Sequence, residues 1–411
     1  MAPRIVVIGA GAAGLMAAIW AASPGADVVL LERTRDGGRK ILISGGGRCN
    51  ILPARMDESR FVSESPSHLL RKILRSWPLR QQIAFFEEEV GIPLVEEAES
   101  AKLFPVSSRA RDVRDGLLTL ARRRGVRILT ESTVVGLSPS AHRWRIDRQD
   151  DEMMEADAVV VATGGLSVPA TGSDGSGLRF AAQLGHSIRS TYPALTPLTA
   201  TPSPFADLAG ISLPVTVTAR AEGMTATATG GFLFTHTGYS GPAVLDISHV
   251  AVRSRPTASP ARIVVRWTDR DDEAWMAALR PSGARTVLGA VGAVLPDRLA
   301  RALIAAAGVD RTRSLAHLTR DERRRLTDTL VRGVLPWNGD EGYRKAEVTG
   351  GGVCLSEIDP RTMESRARPG LFLCGELLDA FGPIGGYNFA WAWATGRAAG
   401  AGAAKRVLSR D

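Results

Sequence analysis

At 411 residues, 44% hydrophobic and 23% charged, the chain is long enough for two cores and lies far from disordered, collagenous or disulfide-dense compositions. Its three cysteines, Cys49, Cys354 and Cys374, are odd in number, widely spaced and in no CxxC, which argues against a disulfide scaffold, zinc ribbon or thioredoxin-like centre and fits a reducing compartment. The formal net charge is +8, from 51 Lys+Arg of which five are lysine; Arg122 to Arg124 with Arg127, and Arg320 with Arg323 to Arg325, read as wet helix faces and leave a polyanionic partner open.

The uncharged run Ile5 to Ala22 has nearly the length of a membrane span. Gly9, Gly11 and Gly14 interrupt it at dinucleotide-binding spacing and no second span follows, so a soluble cytoplasmic protein with no membrane partner is expected. Arg4–Ile8 is predicted as a buried strand, Gly9 to Gly14 as a tight turn and Leu15 to Ala22 as a helix ended by Pro24 and Gly25. Asp27–Leu31 is a second strand, closing at Glu32 one right-handed βαβ unit whose strand ends share an edge. Helical spacing follows over Ser67 to Val90, broken at Pro78, and over Arg111 to Arg124, stopped by Gly125. Strands are predicted at Arg127 to Thr130, Thr133 to Leu137, Trp144 to Asp147 and Ala158 to Ala162; the last is wholly apolar, as in the middle of a parallel sheet.

Near Thr191 the composition changes. Pro193, Pro197, Pro202 and Pro204 punctuate a strand-rich stretch that runs through Trp267, followed by helices over Ala274 to Leu279, Thr286 to Ala307 and Arg320 to Val331. From Ala346 the chain returns to strand, with Gly370 to Cys374, a glycine-rich turn and a last helix from about Asn388 to Leu408. The expected domains are therefore 1–190 and 346–411 as two parts of one nucleotide-binding domain, with 191–345 inserted, β-rich over 191–270 and helical over 271–340.

Gly9-x-Gly11-x-x-Gly14 between strand and helix allows a tight turn, approach of backbone to a pyrophosphate and close helix packing. Glu32, twenty-three residues beyond Gly9, is placed to accept ribose hydroxyls and disfavours a 2′-phosphate, leaving FAD or NAD. Three further stretches favour FAD. Gly37 to Asn50 joins cations to a glycine turn that can wrap phosphates; Thr163, Gly164 and Gly165 end a buried strand; Cys374-Gly375-Glu376 and Gly382 to Asn388 lead into a helix whose amide end can face a flavin. Gly172-Ser-Asp-Gly175-Ser-Gly177 has the wrong order for a second nucleotide fold and is read as a turn before a helix at Leu178 to Leu184.

On these motifs the chain resembles the YhiN/BaiN-like (aminoacetone oxidase-like) family of FAD-dependent flavoprotein oxidoreductases. The signatures are GAGAAGL (Gly9 to Leu15), GRKILISGGGRCN (Gly38 to Asn50), LFTHTGYSGPAVL (Leu233 to Leu245) and the stretch Thr362 to Gly400. The resemblance implies an α/β fold, a split Rossmann-type FAD-binding domain with an inserted β-barrel-like plus helical domain serving as substrate cap. It also implies that Gly9, Gly11, Gly14 and Glu32 hold the adenosine diphosphate half, with Arg33 near the adenine and Val134 touching it through its backbone. Lys40, Ser44, Gly45, Arg48, Cys49 and Asn50 lie along the cofactor, and Gly375, Glu376, Gly385, Gly386, Tyr387 and Asn388 surround the flavin end.

NAD(P)H, with no Rossmann domain of its own, is expected as a transient electron donor. Cys49 has two readings, a proton donor to a substrate carbon or a small buried side chain. His236 facing the flavin and Tyr239 binding substrate are the remaining catalytic candidates; for the histidine a structural role is the better reading. Phe389, Trp391 and Trp393 read as core packing. Three functions stay open: reduction of an unsaturated, electron-poor substrate, one version being a uracil base of ribosomal RNA; oxidation of a small amine such as aminoacetone with release of hydrogen peroxide; and a noncatalytic role as a flavin-binding RNA or ribosome partner. The partner is thus a small molecule or RNA, and the oligomeric state is open.

Overall fold

A computed structural model describes residues 2–22 and 25–409 of the chain, so Pro24 as a helix stop lies outside the described residues. The chain forms two compact units, Met1–Tyr192 with Val348–Asp411, and Pro193–Glu347. No helix among the described residues is long and apolar enough to cross a membrane.

The first unit is built on five parallel strands in the order Leu371–Leu373, Ala158–Val161, Arg4–Ile8, Asp27–Leu31, Arg127–Leu129. Ala158–Val161 is buried at all four residues between two partners, the position its unbroken apolar sequence dictates. This is the expected Rossmann-type sheet, assembled from both ends of the chain. The first helix begins at Ala12, three residues earlier than its leucine predicts, because Gly11 itself serves as the N-cap and Gly14 lies inside the first turn. It packs against the last helix, Tyr387–Leu408. A Cβ on Gly396 or Gly400 would fall 2.3 Å from the Ala13 carbonyl oxygen or 2.1 Å from that of Ala17, so the glycines let the two backbones touch.

Two small antiparallel sheets flank this core. One orders Leu52–Pro53, Lys102–Pro105 and Leu94–Glu97; the other is the meander Val134–Ser140, Arg143–Arg148, Met153–Ala156. Ser67–Arg75 and Leu79–Ala84 are separate helices around Pro78, as its missing N–H requires.

The second unit carries a seven-stranded antiparallel sheet. Its order is Gly333–Val334, Arg262–Arg266, Ser212–Ala221, Met224–Phe234, Gly238–Ser240, Leu198–Thr199, Gly339–Asp340. The expected barrel-like closure is corrected here: the outermost strands are two residues long and do not pair with each other among the described residues, so the sheet stays open. In the central hairpin the period-two pattern is explicit. Val215, Val217 and Ala219 point into the core, while Thr216 bonds Thr229 at 2.9 Å and Thr218 bonds Thr227 at 3.0 Å across the outer face.

Two expectations fail in this unit. The stretch read as strand-rich through Trp267 contains a thirteen-residue helix, Pro242–Ser254, packed on the central hairpin; proline at its start is the signal that was there to read. The single helix expected over Thr286 to Ala307 is two, Val287–Val291 and Asp297–Ala306, with Pro296 capping the second.

Candidate functional site

The glycine turn is jammed on its inner side and open on its outer side. A Cβ on Gly9 would sit 2.7 Å from the Ala162 carbonyl oxygen and one on Gly14 only 1.7 Å from that of Gly9, whereas one on Gly11 would meet nothing within 4 Å. The open side faces the start of the Ala12–Ala21 helix, which has no side-chain cap, so its first N–H groups are available to an anion. Glu32 is 8% exposed. Its carboxylate accepts from Ala10 N–H (2.8 Å), Thr34 N–H (2.8 Å) and Thr34 Oγ1 (2.7 Å). About one of its roughly four acceptor positions remains. A second ribose hydroxyl would need Thr34 Oγ1 to give way, and that hydroxyl already has the Asp36 carbonyl as another acceptor at 2.8 Å. The residues present therefore fit a dinucleotide's adenosine diphosphate half.

Arg33, expected near an adenine, follows directly on Glu32. It is ion-paired to Asp174 at 2.5 Å and reaches the Gly172 carbonyl at 3.4 Å, tying itself to the turn that precedes the helix Ser176–Gln183. Val134 opens its strand at 8% exposure. The residues just before it come up to the glutamate, with Ser132 N–H donating to the Glu32 carbonyl at 2.8 Å. Thr163 and Gly164 end the Ala158–Val161 strand; Gly164 takes φ +72 and faces Ser173, and a Cβ on Gly177 would strike the Thr163 hydroxyl at 2.1 Å.

The basic loop starts on the glycine turn, with Gly38 N–H bonded to the Ala10 carbonyl at 2.8 Å. It forms the short helix Arg39–Ile43 and then turns through Gly45, Gly46 and Gly47, whose φ of 54°, 66° and 85° only glycine adopts without strain. Ser44 holds the turn, donating from Oγ to Ile41 O (2.8 Å) and accepting at its carbonyl from Cys49 N–H (3.0 Å). Arg48 is half-exposed, stacks 4.2 Å over the Phe104 ring and pairs with Glu97 at 2.8 Å, while Asn50 closes against Gly45.

Lys40 meets Glu376 from the other end of the chain. The Nζ–Oε2 distance is 2.5 Å, and Lys40 also donates to Ser167 Oγ at 2.6 Å. Glu376 Oε1 accepts from Ser167 Oγ (2.5 Å), Thr349 N–H (2.9 Å) and Thr349 Oγ1 (2.9 Å), and Thr349 Oγ1 in turn accepts from Leu166 N–H at 2.7 Å. Four segments thus meet around one carboxylate, with Ser167 and Thr349 fully buried. Ser167 and Thr349 were not among the sequence candidates. Ser167 lies two residues past the Gly164-Gly165 pair and Thr349 opens a run of three glycines, which is the signal available. Gly375 packs on Ala13 and its N–H is taken by Thr395 Oγ1 at 3.0 Å.

The start of the last helix is also built by packing. Gly386 lies against Leu52 and Pro53, and Gly385 against Lys102. Tyr387 is 5% exposed; its hydroxyl donates to the Arg55 carbonyl at 3.2 Å and its ring lies 5.7 Å from that of Phe61. Asn388 uses both ends of its amide on Gly382, at 2.9 Å each, closing the preceding loop. Trp391 and Trp393 are core residues, as read from the sequence, with indole N–H bonds to Gly375 O and Ile51 O.

Cys49 belongs to the first unit and His236 and Tyr239 to the second. Cys49 is fully buried at φ +62, and burial pushes its thiol up to about 12, the Ser44 hydrogen bond opposing this only in part. Tyr239, expected to bind substrate, is 0% exposed inside a ring cluster with Phe205, Phe232 and Phe234, and its hydroxyl has no partner among the described residues. His236 is exposed on the turn between the Met224–Phe234 and Gly238–Ser240 strands.

Over residues 3–402 the chain matches the family described as HI0933-like protein Rossmann domain. It is 33% identical over 411 residues to a 3-dehydro-bile acid delta(4,6)-reductase of Clostridium scindens, covering 98% of this chain and 99% of that one. It is likewise 33% identical over 408 residues to a ribosomal RNA dihydrouridine synthase of Escherichia coli, covering 95% of each. Among solved structures it resembles a 3-ketosteroid-delta4-(5alpha)-dehydrogenase from Rhodococcus jostii, with a TM-score of 0.52 at 16% identity over 98% of this chain and 97% of that one.

Proposed function

The chain belongs to the HI0933-like family and is an FAD-dependent oxidoreductase, and from that premise we propose that it reduces a carbon–carbon double bond conjugated to a carbonyl group. The observation that supports this reading is a chemistry shared by two relatives matched nearly end to end. A delta(4,6)-reductase of a 3-dehydro-bile acid and a synthase of dihydrouridine both saturate such a bond. The uracil ring of ribosomal RNA is the substrate we assign, and NAD(P)H the electron donor. A base in an unstacked segment would be the accessible one.

Bound FAD supplies a two-electron carrier between donor and acceptor. The chain's own part is placement and protons. The open side of Gly11 and the uncapped start of the Ala12–Ala21 helix would take the pyrophosphate, and the remaining acceptor position of Glu32 a ribose hydroxyl. The Lys40–Glu376 pair and the turn Ser44 to Asn50 would line the rest of the cofactor, with Thr163, Gly164 and Gly375 beneath it. Cys49 is fully buried and holds its proton at Sγ throughout the neutral range, so it is unfit as a thiolate nucleophile.

The test is product analysis. The yellow protein is incubated anaerobically with NADPH and a uridine-containing ribosomal RNA fragment, and in parallel with a conjugated cyclic enone. Nucleosides gaining two hydrogens at uridine are the expected result. No gain in either acceptor, with peroxide formed from aminoacetone in air, would replace the reductase reading with the amine oxidase.

A further inference from the structure

We propose that Lys102 is a potential-setting residue whose ammonium, beside the start of the last helix, stabilises the negative charge that FAD acquires on reduction. The inference rests on the reading that the flavin end of FAD lies at Gly385 to Asn388. Lys102 opens the central strand of the small sheet, opposite Pro53 on one side and Glu97 on the other. Glu97 does not neutralise it: that carboxylate is held by Arg48 at 2.8 Å and Ser100 at 2.6 Å, and Lys102 is the last of the charges acting on it. Among the described residues no carboxylate forms an ion pair with Lys102.

A half-exposed lysine without a partner is ordinary; the position of this one is not. Its Cε, Cγ and Cδ lie 3.3, 3.6 and 3.9 Å from where a Cβ on Gly385 would be, so the aliphatic stem is laid along the turn that starts the Tyr387–Leu408 helix. A Cβ at Gly385 would press on this stem, and its φ of +115° favours glycine in any case. That helix has no side-chain cap and no acidic residue in its first turn, and the one amide side chain there, Asn388, is spent on Gly382. A helix start carries roughly half a positive charge, and it adds to the ammonium, while the cross-strand Glu97 is hydrogen-bonded to Arg48 and Ser100. FAD taking up two electrons and one proton becomes an anion with its charge on the N1–C2=O edge, and a fixed cation near that edge favours the reduced form. Sulfite addition at flavin N5 leaves negative charge on the same edge, so it reports the same cation.

The experiment compares the FAD-loaded wild type with Lys102→Met, which keeps the stem over Gly385 and removes only the charge, and with Lys102→Arg. Midpoint potential is read by dithionite titration against a reference dye, and sulfite affinity by loss of flavin absorbance. Lys102→Met should disfavour reduction about tenfold, a fall of about 30 mV for two electrons, and weaken sulfite binding by a similar factor, with Lys102→Arg near wild type. Full flavin content with unchanged potential and sulfite affinity in Lys102→Met would overturn the assignment while leaving the cofactor reading intact. A wild-type chain that takes up no FAD would overturn both. Lys102→Gln serves the same comparison where Lys102→Met fails to retain flavin.

Discussion

In the unit that carries the glycine turn, Lys40, Ser167, Thr349 and Glu376 arrive from positions up to 336 residues apart and share their hydrogen bonds around one carboxylate. In the Pro193–Glu347 unit the buried Tyr239 hydroxyl, Thr196 Oγ1 and Trp267 Nε1 have no partner among the described residues, and the rings of Tyr239 and Trp267 are packed among phenylalanines. Burial of a polar group is therefore a poor mark of a site; convergence of several from distant segments is the better one. The first arrangement needs long-range order that only the folded sheet supplies. The second is what a core does when an aromatic ring is worth more than its polar tip.

The comparison can be broken most severely at the glycine turn. Gly14→Ala places a methyl 1.7 Å from a backbone oxygen, so it should cost at least about 3 kcal/mol in urea unfolding and leave the protein colourless. A yellow, wild-type-stable Gly14→Ala protein would show that the turn is not built as described. Next comes the charged network. Glu376→Gln leaves Lys40 unpaired; with the two side chains 16% and 24% exposed the cost falls below that of a fully buried pair, to about 2 kcal/mol, with weakened FAD retention read by ultrafiltration.

The thiol gives a pH signature. Cys49 has a folded-state pKa raised from 9.0 to about 12, so its contribution to stability is whole below pH 9 and is lost as pH rises towards 12. That loss is on the order of 1 kcal/mol by pH 10, and Cys49→Ala should remove this share of the alkaline slope in unfolding measured from pH 8 to 10. At the small end, Tyr239→Phe deletes a hydroxyl with no partner among the described residues, so stability should hold or rise by up to about 1 kcal/mol with turnover unchanged. A large loss of turnover would return Tyr239 to the site. His236→Ala on its exposed turn should stay within about 0.5 kcal/mol in the same unfolding assay.

Most of the first unit was legible in the sequence because its signals are local. A strand, three spaced glycines and a carboxylate at the end of the next strand fall within Arg4 to Glu32, and the apolar run Ala158 to Val161 states its own burial. The inserted unit was less so: Pro242–Ser254 hid inside a stretch whose alternation and prolines pointed to strand, and whether a sheet closes depends on pairing between its first and last strands, which no local pattern carries. At the site, Lys40 and Glu376 could be named separately, whereas Ser167 and Thr349 acquire meaning only through the fold that brings them to Glu376. Tyr239 stands in a motif, and its ring is packed among phenylalanines.

Anaerobic stopped-flow absorbance of the yellow protein tests the central claim most directly. NADPH should bleach the flavin band and a uridine-containing RNA should restore it, far faster than a chain-length-matched RNA lacking uridine. Recovery by oxygen alone, with bleaching by a small amine in place of the nicotinamide, would contradict the account.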